Sequence, residues 1–241
     1  MSAIDIRQFD MNTVQPHRVW LIIGGRNTGK TVLLEDILYH VHHLIDLPCI
    51  MCPTLPTREM MAQHVPPSLI HSSYDYDVAN TFFKLAETMR AKSKKRHLAL
   101  VIDDCVYDKK IMQTETQRAL HLNGRHLNTS LFVTTQYCMT APAIIRGNID
   151  YVVALKEPNR NIRKKLYEYF FGIFPTYKMF ENVFNRLTSN YGCVIFDRTQ
   201  SSNTINDCIK YYRAQYPVPP YKIGKHIYFK FDQHIKSKQQ H

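Results

Sequence analysis

The sequence predicts an α/β fold with a mostly parallel central sheet flanked by helices, and three stretches carry that prediction. In Val19 to Thr31, V-W-L-I-I-G-G-R-N-T-G-K-T, a short apolar run enters Gly24, Gly29, Lys30 and Thr31 at the spacing G-x-x-x-x-G-K-[ST]. Leu98 to Asp104, L-A-L-V-I-D-D, is an uninterrupted apolar run of strand length, the pattern of a strand covered on both faces. Ser130 to Gln136, S-L-F-V-T-T-Q, reads as another buried strand that ends in a polar residue, Gln136. In the first stretch a helix-like segment (Val32, Leu33, Leu34, Ile37, Leu38) follows at once, so the motif stands in its required strand–loop–helix context.

Each residue of that loop has a physical task. Glycines let successive N–H groups of Gly24, Gly25, Arg26, Asn27, Thr28 and Gly29 curl inward toward phosphate oxygens, and the helix opening near Lys30 adds the positive end of its dipole. Lys30 reaches the β- and γ-phosphates as a point charge, and the Thr31 hydroxyl is the expected Mg²⁺ ligand. A P-loop NTPase binding ATP with Mg²⁺ is therefore expected, rather than a glycine-rich turn that happens to end in Lys-Thr. In the second stretch the carboxylates emerge at the C-terminal edge of the strand, where open α/β sheets bind ligands. Asp103 is assigned to the Mg²⁺ shell and Asp104 to polarising the attacking water.

Taken in order, residues 1–17 read as a polar arm or edge strand, 18–214 as the ATPase domain and 215–241 as a basic, Tyr- and Pro-rich tail. Pro48 to Cys52 reads as a strand, P-T-L-P-T after it as a loop, and residues 64–76 as an irregular connection. Asp77 is read as the cap of a helix carrying Val78, Phe82, Leu85 and Met89 on one face, ending in the basic run Arg90 to Arg96. A helix is expected over Gln113 to Asn123 and a strand over Asn148 to Leu155. Asn159 to Leu187 reads as two helices broken at Gly172 to Pro175, with Tyr167, Phe170, Phe171, Phe174, Tyr177, Phe180 and Phe184 as core. Cys193 to Asp197 and Cys208 to Tyr212 form the closing antiparallel hairpin. Where P-loop ATPases insert a strand between the phosphate-loop strand and the Walker B strand, its tip carries a polar sensor, and Gln136 holds that place.

With 241 residues the chain can bury one large α/β core, and its formal net charge of +11 points to a polyanionic partner, nucleic acid or a membrane surface. No apolar run spans a bilayer and no signal-peptide h-region opens the chain, so a soluble intracellular protein is expected. Cys49 and Cys52 form a single C-x-x-C without a second pair at zinc spacing. With Cys105, Cys138, Cys193 and Cys208 in or beside apolar runs, buried free thiols are expected.

With Gly24 to Thr31, Leu98 to Cys105, Asn123-Gly124-Arg125-His126 and Gln136 established, the sequence resembles the genome-packaging ATPases of nucleocytoplasmic large DNA viruses, the vaccinia-type branch of the FtsK/HerA superfamily. The likeness covers about Arg18 to Ala214, including Ile145 to Tyr151 and the closing D-C-I-K-Y-Y-R-A. It implies the additional-strand, RecA-like fold and a homo-oligomeric ring, pentamer or hexamer, that hydrolyses ATP at subunit interfaces. The ring would drive double-stranded DNA into a capsid, with a capsid or portal-like viral protein as partner, no membrane, and a place in the host cytoplasm (viral factory) or the virion. Such a ring needs an arginine finger reaching the neighbouring subunit's ATP, and Arg125 is the candidate, with Arg146 as rival. The chain departs from FtsK and HerA in having Asp104 where they usually place Glu, and it lacks their extra domains. DNA docking therefore falls to the core, the tail or a partner. Arg160, Arg163, Lys164 and Lys165, in the first turns of a helix where the dipole disfavours cations, are candidate DNA contacts, as is Arg90 to Arg96. The competing readings are a small-molecule nucleotide kinase and a nucleotide-dependent DNA-binding scaffold.

Overall fold

The computed structural model describes residues 5–92, 95–105 and 110–239. The chain runs through β1 (Val19–Ile23), α1 (Lys30–Val41), β2 (Leu47–Met51), α2 (Leu55–Ala62), β3 (Ile70–His71), α3 (Tyr76–Ala91) and β4 (Leu98–Ile102). It continues through α4 (Glu115–Asn123), β5 (Thr129–Thr135), α5 (Ala143–Arg146), β6 (Tyr151–Ala154), α6 (Arg160–Tyr169) and α7 (Tyr177–Leu187), and closes with β7 (Gly192–Asp197), α8 (Ile205–Cys208), β8 (Ile209–Arg213) and α9 (His226–Gln239). Among the described residues the strands form one sheet in the order β3-β2-β4-β5-β1-β6-β7-β8. The first six are parallel, and β7 and β8 add antiparallel. The strand ending in Gln136 thus lies between the phosphate-loop strand and the strand ending in the two aspartates, which is the inserted-strand arrangement.

The continuous apolar runs are explained by two covered faces. Val19, Leu21 and Ile23 of β1 enter a core with Phe82 of α3, Leu120 of α4 and the aromatic residues of α6 and α7. Trp20 and Ile22, pointing the other way, pack with Leu33, Leu34 and Ile37 of α1. Phe170, Phe171, Phe174, Phe180 and Phe184 are all buried, so this stripe is core. All six cysteines are free and buried. Among the described residues no helix is long and apolar enough to cross a membrane.

Several elements differ from the sequence expectation. Pro56 does not punctuate a loop but sits in the first turn of α2, where its missing N–H costs no hydrogen bond. The segment read as irregular contains β3, which pairs with β2 through Ile50–Ile70 and Met51–His71; two residues are too few to leave a periodic signal. The cap of α3 is Asp75, whose carboxylate accepts from the N–H groups of Asp77 (2.9 Å) and Val78 (3.0 Å), while Asp77 lies in the first turn. The next helix begins at Glu115 behind the Thr114 cap, not at Gln113. Segments before β1 and after β8 pack on the core. Phe9 donates its N–H to Tyr211 O (2.8 Å) and packs edge-on against Trp20 and Tyr151, and Tyr221 and Ile223 are buried against the α1 side.

The capping correction is testable by chemical denaturation. Asp75→Ala is expected to cost about 1 kcal/mol of stability. Asp77→Ala loses only the attraction of a first-turn carboxylate for the helix dipole and is expected to cost roughly 0.3–0.5 kcal/mol. The reverse order would return the cap to Asp77.

Candidate functional site

The site is built where β1, β4 and β5 end on the same edge of the sheet. In register, Ile23 of β1 stands beside Thr135 of β5, and Ile102 of β4 stands beside Val133. The residues that follow (Gly24, Asp103 and Gln136) therefore leave the sheet side by side. Gly24 to Gly29 curl over this edge before α1 begins at Lys30. Gly24 donates its N–H to Thr135 O (3.1 Å), and a Cβ there would lie 2.7 Å from the Thr28 hydroxyl and 3.0 Å from the Leu155 side chain. Only glycine fits. Gly29 caps α1 at φ 93°, and Asn27 is also left-handed at φ 59°. A Cβ on Gly25 would meet only the Thr28 methyl, at 3.9 Å, and Arg26 stands exposed in the loop.

The loop encloses a cavity of about 520 Å³ lined by Gly25, Arg26, Asn27, Gly29, Lys30 and Thr31, and by Asp103, Asp104 and Gln136 from the neighbouring strand ends. Lys30 is buried and folds back onto the loop, donating to Gly24 O (2.8 Å) and Gly25 O (3.2 Å), with Asp104 Oδ2 at 3.8 Å. The ammonium thus rests where an incoming phosphate would compete for it.

The two aspartates have separate environments. Asp103 is buried, accepts from the Thr134 hydroxyl (2.6 Å) on one oxygen and faces the Cys52 thiol (3.3 Å) on the other. Burial pushes its carboxyl above the ordinary range, and the hydrogen bonds of Thr134 and Cys52 oppose that. Asp104 has a left-handed backbone at φ 50°, held by its N–H to the Thr134 hydroxyl (3.0 Å). That turn aims its side chain into the cavity, where Gln136 Nε2 donates to Asp104 Oδ2 (3.0 Å). Lys30, Asp104 and Gln136 are in this way joined from three different strand ends. Oxygen donors at Thr31, Asp103 and Asp104 suit a hard divalent cation such as Mg²⁺.

The sequence does not mark Thr134 as a site residue, and it marks Cys52 only as half of a C-x-x-C. Thr134 is a hydroxyl two residues before Gln136, but Thr135 beside it carries the same signal, and Cys52 gives none beyond the C-x-x-C and its place after β2. Thr54 and Thr57 also line the cavity and were missed.

Arg125 lies elsewhere. It sits in a 3-10 turn (Gly124–Leu127) before β5, at the opposite edge of the sheet, and is paired with Asp150. Asp150 is buried, with its second oxygen on Val19 N–H (2.8 Å), yet the Arg125 side chain remains 62% exposed. Arg146 is more engaged, donating to Ala141 O (2.9 Å) and lying 4.4 Å over the Tyr169 ring.

Of the basic residues of α6, Arg163 must be corrected. Its guanidinium bonds Glu157 O (2.9 Å), Pro158 O (2.8 Å) and Glu181 Oε1 (2.8 Å), and its side chain is 14% exposed. These internal acceptors, rather than an external phosphate, account for a cation in the first turn. Arg160 is exposed, Lys164 pairs at 4.0 Å with Glu168, and Lys165 contacts Met139. In the run Arg90 to Arg96, Ser93 and Lys94 lie outside the described residues.

Comparison with known proteins places this geometry in a family. The chain is 29% identical to protein 088R of Invertebrate iridescent virus 3 over 92% of its own length and 91% of the relative's. It is 27% identical to protein 015R of Frog virus 3 (isolate Goorha), over 96% and 76% respectively. The genome-packaging NTPase B204 of Sulfolobus turreted icosahedral virus 2, solved with AMP, superposes with a TM-score of 0.62 at 19% identity, covering 84% of this chain and all of that one. The pCW3 conjugation coupling protein TcpA, solved with ATPγS, gives 0.54 at 14% identity, over 96% of this chain and 66% of that one. Both likenesses are of fold. The sequence model of the poxvirus A32 protein matches residues 7–168, and the chain therefore belongs to that family.

Proposed function

We propose that this protein is a ring-forming motor that couples ATP hydrolysis to the movement of double-stranded DNA into a capsid. The observation that carries the reading is the contact of Gln136 with Asp104, 3.8 Å from Lys30, because it joins a sensor, an acid and the phosphate-binding cation in one network. A sheet end that merely bound a nucleotide as a scaffold would have no need of this convergence. A small-molecule kinase would have no use for the sensor.

The residues divide the work as follows. Backbone N–H groups of Gly24 to Gly29 and the N-terminus of α1 hold the phosphate chain. Lys30 exchanges its loop carbonyls for β- and γ-phosphate oxygens, releasing Asp104 from its nearest cation. Thr31 and Asp103 would hold Mg²⁺, which supplies charge neutralisation on the transferring phosphoryl group. Asp104 orients and polarises the attacking water, and Gln136 reports the γ-phosphate to Asp104 by exchanging one hydrogen-bond partner for another. A carboxylate one methylene shorter than Glu is compatible with this task because the left-handed turn at Asp104 carries it forward into the cavity.

Arg125 is the proposed trans-acting finger. The opposite sheet edge is out of reach of its own phosphate loop, but in a ring that edge can face the next subunit's ATP. Asp150 would then be the resting partner from which the guanidinium is drawn. Arg160, Lys164 and Lys165 are the remaining candidate DNA contacts of α6, and the capsid or portal-like partner and the viral factory or virion as location belong to the same proposal.

Steady-state ATPase and equilibrium nucleotide binding test the site. Lys30→Ala should abolish hydrolysis, and Asp104→Asn should bind ATP yet hardly turn it over; wild-type turnover in either removes that residue from its role. If Arg125 acts in trans, Arg125→Ala should keep its fold and ATP affinity but lose roughly 10³-fold in turnover. Mixing it with Lys30→Ala subunits should restore hydrolysis, since one interface type pairs an intact phosphate loop with an intact Arg125. Mixed rings that stay inactive would exclude the trans role.

DNA affinity should fall steeply with salt. Charge reversal at Arg160, Lys164 and Lys165 should lower the log–log slope by about 0.9 for each lost phosphate contact. An unchanged slope would move the DNA path away from α6.

A further inference from the structure

A second cavity, of about 630 Å³, adjoins the phosphate loop on the side away from the aspartates. Asn27 lines both cavities, so the two flank the loop on either side of it. The second is walled by Thr28, by Pro158 beyond β6, by Asn185 in the last turn of α7, and by Asn190 and Tyr191 between α7 and β7. Its most unusual member is Tyr191, whose ring lies against the loop backbone: a Cβ built on Gly29 would meet it at 3.4 Å.

The Tyr191 side chain is little used in packing. It is 71% exposed, and among the described residues its ring stacks on no other and its hydroxyl makes no hydrogen bond. Its backbone is left-handed at φ 59°, directly after Asn190 at φ 49°. Two consecutive non-glycine residues in that region persist only where the surroundings enforce them. Here the enforcement is visible. Gly192 donates its N–H to Ser189 O (3.0 Å), a Cβ at Gly192 would lie 2.2 Å from Leu187 O, and β7 begins at that residue, paired to Arg213 of β8. The turn is tied to the sheet, and it presents an unpartnered aromatic face beside the phosphate cradle.

We propose that this second cavity is the nucleobase subsite, with the Tyr191 ring as the face on which a purine stacks and the Asn185 and Asn190 amides at its edge. The inference rests on the reading of Gly24 to Thr31 as the phosphate site. An aromatic face supplies affinity for any base, and side-chain amides, each both donor and acceptor, can pair with the edge of adenine.

Equilibrium binding of ATP and of inorganic tripolyphosphate to the full chain separates the two readings. Tyr191→Ala should weaken ATP by roughly 5- to 100-fold and leave tripolyphosphate unchanged, while Tyr191→Phe keeps ATP affinity within about two-fold. Lys30→Ala should weaken both ligands. Tyr191→Trp adds a reporter, since the native Trp20 is buried in the core: ATP should quench the introduced indole and tripolyphosphate should not. Unchanged ATP affinity in Tyr191→Ala, a parallel loss of tripolyphosphate binding, or an unquenched indole would overturn the subsite while leaving the phosphate site standing. Failure of Lys30→Ala to weaken either ligand would overturn the phosphate site and the subsite with it.

Discussion

The Thr134 hydroxyl donates to Asp103 and accepts from the backbone N–H of Asp104, and the chemistry at this edge of the sheet depends on that one group. It holds a buried carboxylate in place and stabilises a left-handed turn at a residue that does not favour one. Without the turn, Asp104 would continue the alternation of β4 and point into a helix layer. With it, consecutive aspartates separate into one buried and hydrogen-bonded and one facing the cavity beside Lys30 and Gln136. Two identical side chains thereby acquire different environments, which is the condition for different roles.

Parallel register makes the seam possible. Because β4, β5 and β1 run in the same direction and are adjacent, their C-terminal residues emerge together, and a hydroxyl on one strand meets a carboxylate on the next. The same register puts the opposite ends together at the far edge, where Asp150 gathers Arg18, Arg125 and the Val19 N–H. One edge is thus rich in phosphate-binding donors and the other carries an exposed guanidinium on a buried acid. In the proposed ring, a head-to-tail contact between such edges would be heterologous.

The antiparallel strands β7 and β8 extend this sheet and do more than finish it. Phe9 and its neighbours dock on β8, and Tyr212 of β8 donates to the buried Asp36 of α1 at 2.6 Å, so the helix that starts with Lys30 is tied to the far end of the chain. The turn into β7 carries Tyr191 back to the phosphate loop. The C-terminal hairpin therefore contributes to the nucleotide side of the molecule as well as to its core.

The elements legible in the sequence were those governed by local rules. Apolar runs bounded by glycine or acid gave β1 and β4, and the short apolar stretch ahead of Gln136 gave β5; glycine spacing before Lys30 and Thr31 gave the phosphate loop; and the Gly172 to Pro175 break separated α6 from α7. Gln136 was legible because strand order could be inferred from a known topology. What remained hidden was set by partners distant in the chain. The two-residue β3 exists only because β2 offers it a ladder, and Arg163 is withdrawn from solvent by Glu181, eighteen positions away. Thr134 and Cys52 meet Asp103 across thirty-one and fifty-one positions, and Tyr191 reaches the phosphate loop from the other end of the molecule. Composition and spacing determined that this chain holds a phosphate loop in a parallel α/β sheet, because those depend on backbone geometry over a few residues. Which aspartate is buried, which arginine stays exposed and which aromatic ring lies beside the phosphate loop were decided by tertiary packing, because hydrogen bonds and burial act between residues that only the folded sheet brings together.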